Sequence, residues 1–147
     1  MAIFRTGDMW SALPHTDFFI VTTNSFIRKD GALVMGRGIA QQLRDRVPGF
    51  DAQAGRWVQE TVGHLGQYYL AIGPTYGLFQ VKRHFSDKAD FDLIQGSAER
   101  LRIVAESLPG HSFALNFPGI GNGGLPYDQV KPLLNDLPDN VSIWAFN

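Results

Sequence analysis

The 147-residue chain contains no cysteine, which excludes disulfide scaffolding and thiolate chemistry. It also lacks an excess of either charge: 13 Lys and Arg stand against 14 Asp and Glu, for a net charge of −1. No global basic field therefore directs it to nucleic acid, although a local basic patch stays open. No apolar run approaches the ~20 residues of a membrane-spanning helix. The opening Met1-Ala2-Ile3-Phe4-Arg5 has no apolar signal core or cleavage site. These absences predict a cytoplasmic chain with no membrane partner. Four histidines, His15, His64, His84 and His111, are scattered without zinc-like spacing, and no metal site is signalled. What remains is an ordinary globular composition, 44% hydrophobic and 18% charged. The length suits one domain, residues 1–147, around one sizeable core.

The most informative segment runs from Asn116 to Tyr127. An apolar stretch over 112–117 reads as a buried strand, and four glycines, Gly119, Gly121, Gly123 and Gly124, then fall within six residues before a helix start. Such a turn exposes backbone N–H groups and lets a ligand approach closely. It suits phosphate oxygens. Elsewhere, 2–5 is a short apolar run ending in the turn Thr6-Gly7-Asp8. The run Phe18-Phe19-Ile20-Val21-Thr22-Thr23 is too apolar for an edge and reads as a central strand. A polar, glycine-bearing loop covers 24–38. Ile39, Leu43 and Val47 have helical spacing up to Pro48-Gly49. A second helix is expected over about 51–62, ending at Gly63.

Strands over 68–72 and 78–81 flank a turn. An amphipathic helix covers 90–108, with Asp90 or Asp92 as its cap. A final helix at 127–134 and a last strand at 141–146 complete the order. Alternating elements with a strand pair in the middle predict a mixed sheet between helical layers. In such sheets ligands sit outside the carboxyl ends of strands. Three loops leave such ends, Thr6-Gly7-Asp8, residues 24–38 and residues 117–125, and all three carry Gly with Asp or Asn.

With these loops placed, the chain resembles the macrodomains, the ADP-ribose-binding fold, over nearly its whole length. Gly7-Asp8-Met9 resembles the family's turn after the first strand, and Val21-Thr22-Thr23-Asn24 its strand delivering an asparagine to the distal ribose. Met35-Gly36-Arg37-Gly38-Ile39-Ala40 and Gly119-Ile120-Gly121-Asn122-Gly123-Gly124-Leu125 resemble its two phosphate loops. Val81-Lys82-Arg83-His84-Phe85 resembles a Thr-Lys-Arg-His-aromatic segment in the branch of DNA ADP-ribosyl glycohydrolase antitoxins. The resemblance implies a three-layer α/β/α macrodomain with a mixed central sheet. Two departures stand out: Arg28-Lys29-Asp30-Gly31 lengthens the connection before Met35, and no acid occupies the second phosphate loop, where Gly123 stands.

The resemblance also implies the site. Asp8 and Met9 would meet adenine, with Phe146 stacking on the base and Asn147 near it. Met35, Gly36, Gly38 and Ile39 would face Gly119, Gly121, Asn122, Gly123, Gly124 and Leu125 across the diphosphate. Asn24 would reach the distal ribose. Lys82 would be catalytic, as a nucleophile at C1″ or as a proton donor, with His84 a second acid/base. Bland readings stand beside these: an Asx turn at Asn24, a turn aspartate at Asp8, core packing at Phe146, a solvated Lys82-Arg83-His84-Lys88 cluster. The expected activity is removal of ADP-ribose from a modified macromolecule, DNA foremost, without metal or cofactor. The rivals are a module that only binds ADP-ribose and, lower, a phosphatase or esterase on free ADP-ribose derivatives. The chain is expected to work as a monomer or as a module of a longer product.

Overall fold

A computed structural model describes residues 1–61 and 66–146. The predicted end of the second helix at Val62 and Gly63, together with His64 and Asn147, lies outside the described residues. Six strands form one sheet: β1 (Ile3–Thr6), β2 (Phe18–Thr23), β3 (Leu70–Ile72), β4 (Tyr76–Gln80), β5 (Phe113–Asn116) and β6 (Val141–Ala145). Their order is β1-β6-β5-β2-β4-β3. All pairs are parallel except β3 with β4, so the sheet is mixed.

The central strands are apolar on both faces because both faces are covered. Phe19 and Val21 of β2, Leu78 of β4 and Ala114 of β5 pack with Leu43, Ala54 and Val58. These last three lie on α1 (Gly38–Arg46) and α2 (Phe50–Thr61). Ile20, Phe79, Phe113, Leu115 and Ile143 point the other way, onto Ile94 and Leu101 of α3 (Phe91–Ser107) and onto Val130 and Leu134. The expected three layers are therefore present. Asp90 caps α3, accepting from the N–H groups of Asp92 (2.8 Å) and Leu93 (3.4 Å), a contact of about 1 kcal/mol.

Two local expectations differ from the structure, and one further element has no counterpart among them. The strand expected over 68–72 begins only at Leu70. The N–H groups of Tyr68 and Tyr69 are taken by the Gln80 side chain, and Tyr69 has φ +63°. The helix expected over 127–134 is α-helical only in α4 (Tyr127–Val130) and tightens to a 3₁₀ turn at Lys131–Leu134, where Pro132 has no N–H to continue the ladder. A 3₁₀ helix at Met9–His15, with Asp8 as its N-cap, was not expected at all.

The lengthened connection folds outward. Arg28–Gly31 closes a turn (Gly31 N–H to Arg28 C=O, 2.9 Å) beside an Ile27–Leu33 bridge. Arg28 forks onto Asp30 and reaches Asp51 of α2, and the Leu33 N–H donates to the Asp51 carbonyl at 3.0 Å. The insertion is thus fastened to α2, and only Val34 and the residues after it reach the cavity described below. No helix among the described residues is long and apolar enough to cross a membrane.

Candidate functional site

The sheet order locates the site. From β2 the chain moves toward β4, and from β5 it moves back toward β6. The two adjacent strands therefore send their connections opposite ways, which opens a crevice at their carboxyl ends. At this point the β2–β5 backbone ladder gives way to a side chain. Asn116 accepts from the Thr22 N–H (2.9 Å) and donates to Thr22 Oγ1 (2.9 Å). Above this clip lies a cavity of about 390 Å³, lined by the ends of β2, β4 and β5 and by both glycine-bearing loops. That volume is in the range of small-molecule sites.

One wall is the start of α1. Its N-cap, Arg37, is extended and makes no side-chain cap, while Gly38, Ile39 and Ala40 all line the cavity. The first N–H groups of a helix have no intrahelical partner and carry the positive end of the dipole. Gly38 makes this possible by taking φ +58°, a conformation costly for other residues, and its backbone sits opposite Asn122. The two loops meet there.

The other wall is the glycine run. It is more closed than the sequence suggested, because Gly121–Gly123 forms a 3₁₀ turn. The N–H groups of Gly123, Gly124 and Leu125 donate to the carbonyls of Ile120, Gly121 and Gly119. Among the described residues no backbone carbonyl takes the N–H groups of Gly119, Ile120, Gly121 or Asn122, so the donors available to a ligand come from the first half of the loop. Gly119, at φ +81°, has no room for a side chain: a Cβ would lie 2.6 Å from Ile94 Cδ1.

Lys82 lies two residues past the end of β4 and lines the cavity. It is half-buried, and its Nζ donates to the Asp87 carbonyl at 3.2 Å. Burial lowers its pKa from the ordinary lysine value; Asp87 opposes the shift and Arg37 adds to it. Among the described residues, Arg37 and Lys82 are the charged ones lining the cavity, and no carboxylate lines it. The Lys82 backbone is fixed from below. The fully buried Gln80 side chain accepts from the N–H groups of Tyr68 (2.8 Å) and Tyr69 (3.0 Å) and donates to the carbonyls of Gly66 (2.9 Å) and Lys82 (3.1 Å). Beside it, buried Tyr68 pairs with Thr23 and donates to the Asn24 carbonyl, and desolvation pushes its phenol pKa upward.

The expected residues divide accordingly. Asn24, Met35, Gly36, Gly38, Ile39, Lys82, Gly119, Asn122 and Gly123 line the cavity together. Asn24 also closes an Asx turn, accepting from the Phe26 N–H and donating to the Val34 carbonyl, so part of its hydrogen-bonding capacity is already used. Gly121, Gly124 and Leu125 belong to the loop but not to the lining. His84 is outside the lining too, its Nδ1 held by the Ser86 N–H (3.1 Å) and Oγ (2.7 Å).

Asp8, Met9 and Phe146 sit further along the same sheet edge, where the Gly7 N–H donates to the Ala145 carbonyl. Asp8 caps Trp10, Met9 is buried, and Phe146 is 76% exposed. Thr22, Asn116, Ile120, Ala40 and Phe85 line the cavity without having been singled out. In sequence, Thr22 and Asn116 stand out only as polar residues at the ends of two apolar runs. Among the described residues, no group of three or more His, Asp or Glu is placed to hold a metal ion.

No protein-family model matches the chain, and no curated relative matches it in sequence. Solved structures match it in shape. The macrodomain of Thermus aquaticus DarG aligns with a TM-score of 0.74 at 22% identity, covering 100% of this chain and 98% of that one. The macrodomain of Mycobacterium tuberculosis DarG gives 0.72 at 24% identity, covering 98% and 97%. Thermosipho africanus DarTG in complex with ADP-ribose gives 0.76 at 21% identity, covering 99% of this chain and 42% of that longer one. With its element order, mixed sheet and alignment along this chain's whole length in agreement, the chain has the macrodomain fold.

Proposed function

We propose that the cavity binds ADP-ribose and that the protein removes it from a modified macromolecule, with DNA as the substrate class. The observation that carries this reading is Lys82, a lysine with lowered pKa in a cavity without carboxylates among the described residues, facing two loops of free backbone N–H groups. Free N–H groups and a helix N-terminus fit a diphosphate. One solved structure of the same fold is itself described as in complex with ADP-ribose. Adenine would extend toward Asp8 and Phe146, and the distal ribose toward Asn24 and Lys82.

In this reading the neutral Lys82 amine bonds to C1″ of the distal ribose as the bond from C1″ to the macromolecule breaks. The leaving group takes up a proton. Water then hydrolyses the C1″–Nζ bond, releasing ADP-ribose and restoring the amine. Burial favours this role by raising the neutral fraction of the amine. If Lys82 instead protonates the leaving group, turnover falls as pH rises through its pKa; a nucleophile gives the opposite slope.

A second reading, a module that binds ADP-ribose without turning it over, draws on the lack, among the described residues, of a carboxylate in the lining to activate water. Incubation with ADP-ribosylated oligonucleotide and, separately, ADP-ribosylated protein decides between them. Release by the parent, slowed at least ten-fold in Lys82→Ala (about 1.4 kcal/mol of transition-state stabilisation), is the expected result. Tight ADP-ribose binding without release selects the module. Equal release by parent and variant removes Lys82 from the chemistry.

A further inference from the structure

At the lip of the cavity, next to Lys82, two large apolar rings face solvent: Phe26 is 38% exposed and Phe85 46%. They are not stray side chains. The His84 and Phe85 rings stack at 4.2 Å and 27°, and Phe26 stands edge-on to both, at 4.7 Å from His84 and 5.3 Å from Phe85. The loop that presents them is tied down. The Ala89 N–H donates to the Gly123 carbonyl and the Asp90 N–H to the Val81 carbonyl, while the Asp87 N–H closes the turn on the His84 carbonyl. Ser86 fixes the His84 ring from below through Nδ1.

An aromatic cluster held by its own ring contacts and by backbone ties, yet left partly open to water, is prearranged to accept a flat partner. Phe85 lines the cavity as Lys82 does, so in the ADP-ribose reading a group attached at C1″ beside Lys82 lies near its ring. Two cations lie close by: Arg37 lines the cavity, and Lys88 follows Phe85 on the same loop. Arg37 is near enough to depress the Lys82 pKa. The Lys88 stem lies against Gly124. Neither makes an ion pair among the described residues.

Flat apolar rings beside unpaired cations match a nucleobase flanked by phosphates, where each stacked base contributes about 1–3 kcal/mol. A peptide without aromatic side chains that carries the same ADP-ribose offers neither such a face nor flanking phosphates. We propose that Phe85 and Phe26, braced by His84, form a stacking platform for a nucleobase at or beside the modified position, with Arg37 and Lys88 taking the adjoining phosphates. This rests on the ADP-ribose reading of the cavity and adds the chemistry of what ADP-ribose is attached to.

The test compares affinities in the Lys82→Ala background, where the conjugate survives. The probes are free ADP-ribose, a short single-stranded oligonucleotide bearing ADP-ribose on one base, and an ADP-ribosylated peptide without aromatic side chains. The oligonucleotide is expected to bind at least ten-fold more tightly than free ADP-ribose, and the peptide to show no such gain. Phe85→Ala and Phe26→Ala are each expected to pull the oligonucleotide-to-ADP-ribose ratio toward one, and Phe85→Trp to restore it. Oligonucleotide and free ADP-ribose binding equally well overturns the platform while leaving the cavity reading intact. So does a ratio that the alanine variants leave unchanged, or a peptide gain equal to that of the oligonucleotide. Binding of none of the probes overturns the cavity reading and the platform with it.

Discussion

Gly55→Ala is a substitution that helix propensity alone expects to stabilise, by about 1 kcal/mol. The structure gives the opposite sign. Gly55 lies on α2 where the helix passes beneath the outward-folded turn, and a Cβ there would stand 1.9 Å from the Gly31 carbonyl oxygen and 3.0 Å from Ala32 Cα. An ordinary carbon–oxygen contact is about 3.3 Å, so the turn must retreat by more than an ångström. The obstacle is backbone, with no side chain to swing aside. The same carbonyl accepts from Gln59 Nε2 at 3.3 Å, and the Leu33 N–H is bonded to Asp51 of the same helix.

Overpacking of this kind costs about 1–3 kcal/mol, and each strained hydrogen bond adds about 0.5–1.5 kcal/mol. Set against the propensity gain, the net is a loss of about 2 kcal/mol. With a urea dependence of about 2 kcal/mol per molar, the unfolding midpoint falls by about 1 M. Because this turn leads directly into Val34, Met35 and Gly36 of the cavity wall, ADP-ribose affinity measured well below the transition should fall several-fold as well. A midpoint equal to or above the parent's refutes the close approach of helix and turn. A lower midpoint with unchanged affinity refutes the link from turn to cavity.

Gln80→Leu leaves four backbone groups around the Lys82 strand end without their partner; at about 1–3 kcal/mol per unsatisfied buried group, partly relaxed, thermal unfolding should report a loss above about 3 kcal/mol, and a near-neutral result would show that the network carries little. Lys82→Met should not destabilise the fold at pH 7. A lysine whose pKa is lowered on folding is penalised while charged, so stability of the parent rises with pH between the lowered pKa and the ordinary value near 10.5. Urea midpoints of parent and variant taken from pH 7 to 10.5 should therefore converge, and a parallel pair of curves would deny the shift. Gly123→Glu places a carboxylate beside the cavity from a position whose Cβ would already touch Ala89 at 3.1 Å; calorimetry should show ADP-ribose binding lost, and normal binding would remove this loop from the diphosphate site.

The parts of the fold read most directly from sequence are those where one physical demand dominates. Strand β2 matches its expected span, residues 18–23, because burial on both faces leaves an unbroken apolar run. Helix α3 matches because its apolar stripe, its Asp90 cap and Pro109-Gly110 all agree. The misreadings fall where tertiary hydrogen bonds override local preference. Tyr68 and Tyr69 look like strand residues until a buried glutamine eleven and twelve positions later claims their N–H groups.

The glycine run advertised its flexibility but not how many of its own N–H groups it would consume. Asn116 and Thr22 were silent because their role exists only when strands 94 residues apart are brought side by side. The cavity side of the site was legible because glycines before a helix and after a strand mark backbone donors. The Phe26–His84–Phe85 lip was not, since ring contacts between distant loops leave no periodic trace.

The walls of the cavity owe their donors to the main chain, and a main-chain N–H survives almost any substitution. Exchanging Ile39, Ala40, Ile120 or Asn122 alters shape and polarity while the donors stay where the backbone holds them. The information that specifies the proposed anion cradle is therefore concentrated in a few permissive positions, such as Gly38 and Gly119, and the side chains beside them are less constrained. A fold shared end to end at 21–24% identity is what such economy permits. It also makes the scaffold a practical one for redesign: its lining side chains can be varied to recognise new substituents without dismantling the part proposed to hold the charge.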